Sequence, residues 1–167
     1  MISLFYIAAA VALISSVLAI SRSNAVHALL YAIVSLLSVA LVFFILGAPF
    51  AAALEVVIYA GAIMVLFVFV IMMISSGHGA VEQERQWMNF GIWIGPSILA
   101  LVLTIELFFI ISVPQAQMTA NPLVESKQVG IALLGPYVVG VELSSLLLTA
   151  GLVGAYHLGK RERGNEG

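Results

Sequence analysis

The sequence has no cysteine and very little charge: its 167 residues include six lysines and arginines and eight aspartates and glutamates, 8% in all, with a net charge of -2. Without cysteine the chain cannot ligate an iron–sulfur cluster or build a disulfide scaffold. So little charge, beside 63% hydrophobic residues, leaves too little polar surface to cover a water-soluble globule, which averages about 25% charged residues. A disordered chain and a nucleic-acid binder fall on the same ground, because both depend on charge that is lacking here. Also missing are a glycine-rich phosphate loop, a zinc-ligand spacing and a nucleophile elbow. His27, His78 and His157 all lie near the ends of apolar stretches, which is unsuited to holding a haem between paired intramembrane histidines. The residues thus predict no bound cofactor, no metal and no bond-making chemistry in this chain, so any enzymatic function belongs to a larger assembly.

What is present is apolar length. A membrane-crossing helix takes about 20 mainly apolar residues, so five would use about 100 of the chain. The pattern predicts an all-α integral membrane protein with spans near 2–20, 26–46, 51–74, 91–113 and 130–156, a single membrane domain over 1–167 and a tail at 157–167. The first positive charge, Arg22, follows the first apolar stretch instead of preceding it, so that stretch reads as a retained helix and not as a signal peptide. Ser23 or Asn24 is placed to cap the second helix, and Gly47-Ala48-Pro49 ends it. The loop at 75–90 carries His78, Glu82, Glu84 and Arg85, with Trp87 and Trp93 as interfacial anchors. A second loop, at 114–129, contains Pro114, Asn121, Pro122, Glu125 and Lys127. Gly95-Pro96 and Gly135-Pro136 fall early in the fourth and fifth helices, where proline is tolerated or makes a slight kink. Arg22, Arg85, Lys160, Arg161 and Arg163 collect on one side and Lys127 on the other. The excess of cations marks the cytoplasmic face, which predicts a periplasmic N-terminus and a cytoplasmic C-terminus.

Three glutamates interrupt the predicted spans: Glu55, Glu106 and Glu142. An acidic residue at the centre of a span costs about 2.5 to 3.5 kcal/mol on insertion scales, so it should face protein or water. From the predicted boundaries Glu55 lies about 6 Å from the outer end of its helix, Glu106 about 12 Å and Glu142 about 18 Å, which makes Glu142 the most central. Tyr59 follows Glu55 by four residues and shares its face, so phenol and carboxylate can bond directly or through a water. Ser145 and Thr149 extend a polar stripe from Glu142, and His27, Tyr31, Ser35 and Ser38 form another on the second helix. Glu106 has no polar company in its own helix. A carboxyl group taken out of water favours its neutral form and can pass a proton on when water approaches, as a relay requires. The alternative is a protonated glutamate that clamps two helices, worth about 1 kcal/mol. Tyr59-Ala60-Gly61-Ala62 is a small-residue patch in the third span, which suits close helix packing or a local irregularity.

Two long stretches carry a resemblance. Glu55-Val-Val-Ile-Tyr59-Ala-Gly61-Ala-Ile-Met-Val65-Leu-Phe-Val-Phe-Val-Ile-Met-Met73 resembles the third helix of the J-subunit family of the proton-pumping NADH:quinone oxidoreductase, respiratory complex I. Gly135-Pro-Tyr-Val-Val-Gly-Val-Glu142-Leu-Ser-Ser-Leu-Leu-Leu resembles the last helix of that family, and Val26-His-Ala-Leu-Leu-Tyr31 the entrance to its second. With the Glu82-Gln-Glu-Arg85-Gln-Trp87 loop the likeness covers nearly the whole chain and looks bacterial. The resemblance implies a multi-pass protein of the bacterial inner membrane, packed in the membrane arm against the quinone-site H subunit, the small A and K subunits and antiporter-like subunits. It implies a third helix with a π-bulge that gates a hydrated proton path, and makes Glu55, Tyr59, Ala60, Gly61 and Val65 its candidate residues. FMN, iron–sulfur clusters and quinone would be bound elsewhere in the complex. Glu142 and Glu106 are nominated from the membrane physics. The competing expectation is a structural or assembly subunit, or a component of a related cation/proton antiporter complex, whose glutamates carry no proton.

Overall fold

A computed structural model describes residues 2–74, 90–112 and 123–160. Every regular element among them is helical: α1 (Ile2–Ser21), α2 (Ala25–Ile45), α3 (Pro49–Leu54), a π-helical segment (Glu55–Ile63), α4 (Met64–Ile74), α5 (Phe90–Ser112), α6 (Ser126–Leu134) and α7 (Val138–Gly159). Five stretches are long and apolar enough to cross a membrane: Ile2–Ser21, Ala25–Ile45, Pro49–Met73, Trp93–Ser112 and Val138–Gly159. The expected features at His78, Glu82, Glu84, Arg85 and Trp87, at Pro114, Asn121 and Pro122, and at Arg161 and Arg163 lie outside the described residues.

Local chemistry explains where the first helices start and stop. Asn24, and not Ser23, caps α2: its side-chain oxygen accepts from the backbone N–H groups of Val26 at 3.0 Å and His27 at 3.4 Å, two of the donors that a helix start leaves free. At the other end Gly47 adopts a left-handed φ of 87°. Its N–H bonds to the Phe44 carbonyl at 3.1 Å, and the Ala48 N–H to the Phe43 carbonyl at 3.0 Å, a pair of bonds that closes the helix at a residue without a Cβ. Pro49 then opens α3 at a position where its missing N–H leaves no intrahelical bond unmade.

The chain divides into two compact units, Met1–Val124 and Glu125–Gly167. In the first, α1 lies along α2, and α5 packs against both, while α2 also borders α3, the π segment and α4. Val11, Val34 and Leu103 form a buried apolar layer, with Leu37, Leu41, Leu99 and Val102 packed around it. Two hydroxyls tie α2 to α1: Ser38 Oγ donates to the Ala8 carbonyl at 2.6 Å and Ser35 Oγ to the Ala12 carbonyl at 2.9 Å. Large apolar side chains elsewhere in this unit stay exposed, Phe67, Phe69 and Met73 among them, as suits a chain surrounded by hydrocarbon or by other helices.

The second unit corrects the expected fifth helix. Instead of one helix from 130 with a slight kink, α6 stops at Leu134 and α7 starts at Val138. Pro136 has no N–H for the Ala132 carbonyl, and the N–H of Tyr137 takes that carbonyl instead at 3.1 Å. Gly135, at φ -109° and ψ -106°, makes the change of direction, and a Cβ there would lie 2.8 Å from the Ile131 carbonyl oxygen.

Candidate functional site

The third span is α-helical at both ends and π-helical in between. Over Glu55–Ile63 the backbone bonds reach from residue i+5 to i, which widens the helix by one residue per turn. The segment closes where the Met64 N–H bonds to the carbonyls of both Tyr59 and Gly61. Gly61 sits over the Val56 carbonyl, five residues back; a Cβ at Gly61 would lie 3.1 Å from that oxygen. Glu55 opens the segment and is half-buried, Ala60 and Gly61 are half-buried, and Tyr59 is exposed. Val65 belongs to α4, as the second residue of the α-helix that resumes. Glu55 and Tyr59 share the segment, yet among the described residues neither side chain makes a hydrogen bond. The direct bond between phenol and carboxylate is therefore not present in this conformation.

Glu106 belongs to a different place. It is 3% exposed where α5 meets α1 and α2, and among the described residues both carboxyl oxygens lack a hydrogen-bond partner. The backbone of Ala8 faces it outside hydrogen-bond geometry, and Ser38, which also reaches Ala8, gives its proton to the Ala8 carbonyl. The second-helix stripe divides along its length: Ser38 and Ser35 bond to α1, Tyr31 is buried with the Arg22 guanidinium 5.5 Å from its ring centre, and His27 Nε2 is enclosed without a partner. The Tyr31 hydroxyl occupies the space where a Cβ on Gly95 would stand.

Glu142 lies in the second unit, exposed on α7, and takes no hydrogen bond among the described residues. The Thr149 hydroxyl in its stripe bonds to the Ser145 carbonyl at 2.9 Å. The depths expected from sequence change with the observed helix ends. Glu142 is four residues from Val138, about 6 Å, whereas Glu106 is six residues from Ser112 and Glu55 six from Pro49, about 9 Å each. Glu142 is thus the nearest of the three to the end of its own helix, because the break at Pro136 assigns the preceding turns to α6.

Between α2, the start of the third span and α5 runs a cleft of about 580 Å³, apolar except at Thr104, with Phe44, Ala52, Val56 and Leu107 among its walls. Ser15 is a residue that sequence reasoning missed: it is fully buried on α1 and its hydroxyl has no partner. Small residues at Ala8, Ala12 and Ser15, spaced by four and three, carried the signal, since such a stripe marks the face where another helix comes close. Among the described residues no three histidines, cysteines or acids converge to hold a metal.

Fold and site together define a multi-pass α-helical membrane protein with glutamates inside its spans and one span wound in part as a π-helix. Residues 15–158 match the model of the family described as NADH-ubiquinone/plastoquinone oxidoreductase chain 6, and the chain belongs to that family. It is similar to NADH-quinone oxidoreductase subunit J of Pseudomonas aeruginosa, 55% identical over 95% of this chain and 96% of that one. The subunit J of Escherichia coli is 52% identical over 97% of this chain and 88% of its own length. That of Buchnera aphidicola from Schizaphis graminum is 50% identical, over 95% and 98%.

Proposed function

We propose that the chain is a membrane-arm subunit of an NADH:quinone oxidoreductase and helps couple quinone reduction to proton translocation through a flexible third helix and intramembrane glutamates. The observation that carries this reading is the nine-residue π segment that Glu55 opens in the middle of an otherwise α-helical span. A π-helix keeps its backbone bonds yet sits close to α geometry, so it can shift register without unfolding, and such segments gather at functional sites. Glu55 and Tyr59, whose side chains make no hydrogen bond among the described residues, are placed to pair with water or with a neighbouring subunit. Glu106 and Glu142 join them as proton-path candidates, with Ala60, Gly61 and Val65 as the hinge.

In this reading the chain carries no redox chemistry: FMN, iron–sulfur clusters and quinone belong to other subunits. Its partners are the quinone-site H subunit, the small A and K subunits, the antiporter-like subunits and the lipid of a bacterial inner membrane. The N-terminus is periplasmic and the C-terminus cytoplasmic, as the bias of lysine and arginine supports.

The test is Glu55→Gln in the assembled complex, which preserves the hydrogen-bonding shape and removes the titrating proton. The expected result is quinone reduction with fewer protons moved per NADH oxidised. Unchanged proton yield in Glu55→Gln and Glu142→Gln together would leave the glutamates as structural groups. Purification in mild detergent with an assembly that lacks flavin would sink the complex itself.

A further inference from the structure

Three buried groups along the seam of α1, α2 and α5 have no hydrogen-bond partner among the described residues: Ser15 Oγ, His27 Nε2 and the Glu106 carboxyl. These atoms are already closed off from the surroundings of the chain. A buried polar group without a partner costs about 1 to 3 kcal/mol, and each one in a native protein asks for an explanation such as water or a functional role. A helix clamp would bond Glu106 to the facing helix. Instead, the backbone of Ala8 lies beside the carboxyl outside hydrogen-bond geometry, and the neighbouring Ser38 hydroxyl is bonded to the Ala8 carbonyl.

The order of groups along the seam adds the second observation. The Ser38–Ala8 and Ser35–Ala12 bonds fix α1 and α2 in antiparallel register. Carried one turn further, that register sets Ser15 level with Tyr31, and His27 beyond them towards Asn24. Glu106 lies at the level of Ala8 and Ser38. Between the two polar levels stands the buried layer of Val11, Val34 and Leu103. The sequence along the seam is therefore polar, apolar, polar: the middle layer is made of single side chains from α1, α2 and α5, and the one hydroxyl beside it, Ser35, is satisfied by the Ala12 carbonyl.

We propose that this seam is a second proton-exchange column, separate from the π segment, in which Glu106 holds the proton and Val11, Val34 and Leu103 form the barrier between it and Ser15, Tyr31 and His27. When the seam opens enough to admit water, the O–H bond of the neutral carboxyl breaks and the proton leaves on a water molecule. The carboxylate that remains takes a proton back from hydronium on the next passage, so the group returns to its starting state. Arg22, whose guanidinium lies over the Tyr31 ring, disfavours a lasting positive charge at the His27 end and keeps that end a transit point. The proposal rests on the chain working in a proton-translocating complex.

The test uses the assembled complex reconstituted in liposomes. Glu106→Gln is expected to remove a protonated-carboxyl band from the redox-induced infrared difference spectrum and to lower the protons moved per NADH oxidised. Val34→Thr, which puts a hydroxyl into the apolar layer with little change of size, is expected to raise the passive proton leak several-fold. If Glu106→Gln assembles with that band and the proton yield unchanged, the column is overturned while membership of the complex stands. If Glu106→Gln does not assemble, Val34→Thr decides alone, and a leak no greater than that of the parent complex overturns the proposal. Failure of the unaltered chain to purify with an NADH-oxidising assembly would instead refute the function proposed above.

Discussion

Single atoms decide how the first unit holds together. Ser38 spends its proton on the Ala8 carbonyl in a fully buried position, so Ser38→Ala should lower the stability of the purified protein by about 1 kcal/mol. Thermal unfolding in detergent reads that loss, and a Ser38→Ala protein as stable as its parent would show the bond to be worthless. Gly95 meets the buried Tyr31 hydroxyl at a point where no Cβ fits. Gly95→Ala should displace that ring and cost about 1 to 3 kcal/mol, the usual penalty of overpacking, whereas Gly95→Ala combined with Tyr31→Phe should recover part of it. At this scale the sequence was legible wherever a residue acts on its own helix: a cap at Ser23 or Asn24 follows from their side chains and their place before an apolar run, and the bonds to Val26 and His27 fix it as Asn24. Ser15 and Glu106 were harder, since what matters about them is a facing helix, and one sequence does not say which helix that is.

Helices that read alike in composition behave differently at the level of elements. Composition alone leaves the third span open between close packing and a local irregularity, and only the family resemblance implies a π turn there, because the same Gly61 that suits close packing also fits a widened turn. Periodicity does not separate the two, because α and π winding put the same apolar residues in a membrane. Gly61→Val should force the choice: its branched side chain, too close to the Val56 carbonyl, should shift the backbone bonds at 56–64 towards α spacing. Amide hydrogen exchange across 55–64 measures that change, and an identical pattern in Gly61→Val would mean the π turn does not depend on glycine. Pro136 misled in the other direction. A proline early in a helix can be absorbed, but here Gly135 before it removes the Cβ that would have resisted the turn. Pro136→Ala should restore a donor to the Ala132 carbonyl and slow amide exchange at 136–138 by letting α6 run on towards α7.

Across the whole molecule, five apolar lengths and the place of most boundaries could be read from composition alone, since hydrocarbon thickness sets the length of a span. The packing of α1, α2 and α5 could not, because nearly every face is apolar and any of them could serve as the inner one. Sidedness remains a statement about six cations, and the lack of cysteine makes it simple to check. A cysteine at Ser23, exposed before α2, should react with a membrane-impermeant thiol reagent from the cytoplasmic side, and one at Leu123 from the periplasmic side; the reverse pattern would invert the orientation. One bond of the first unit bears on how motion would travel. The Val124 N–H donates to the Gly47 carbonyl at 2.9 Å, so the turn that leads into the third span is braced by backbone from two distant parts of the chain. That span then has one end tied back to the fold. A change of register by one residue in the π segment turns the helix beyond it by about 100° and slides it by about 1.5 Å, and with α3 held fast the whole of that turn is delivered to α4.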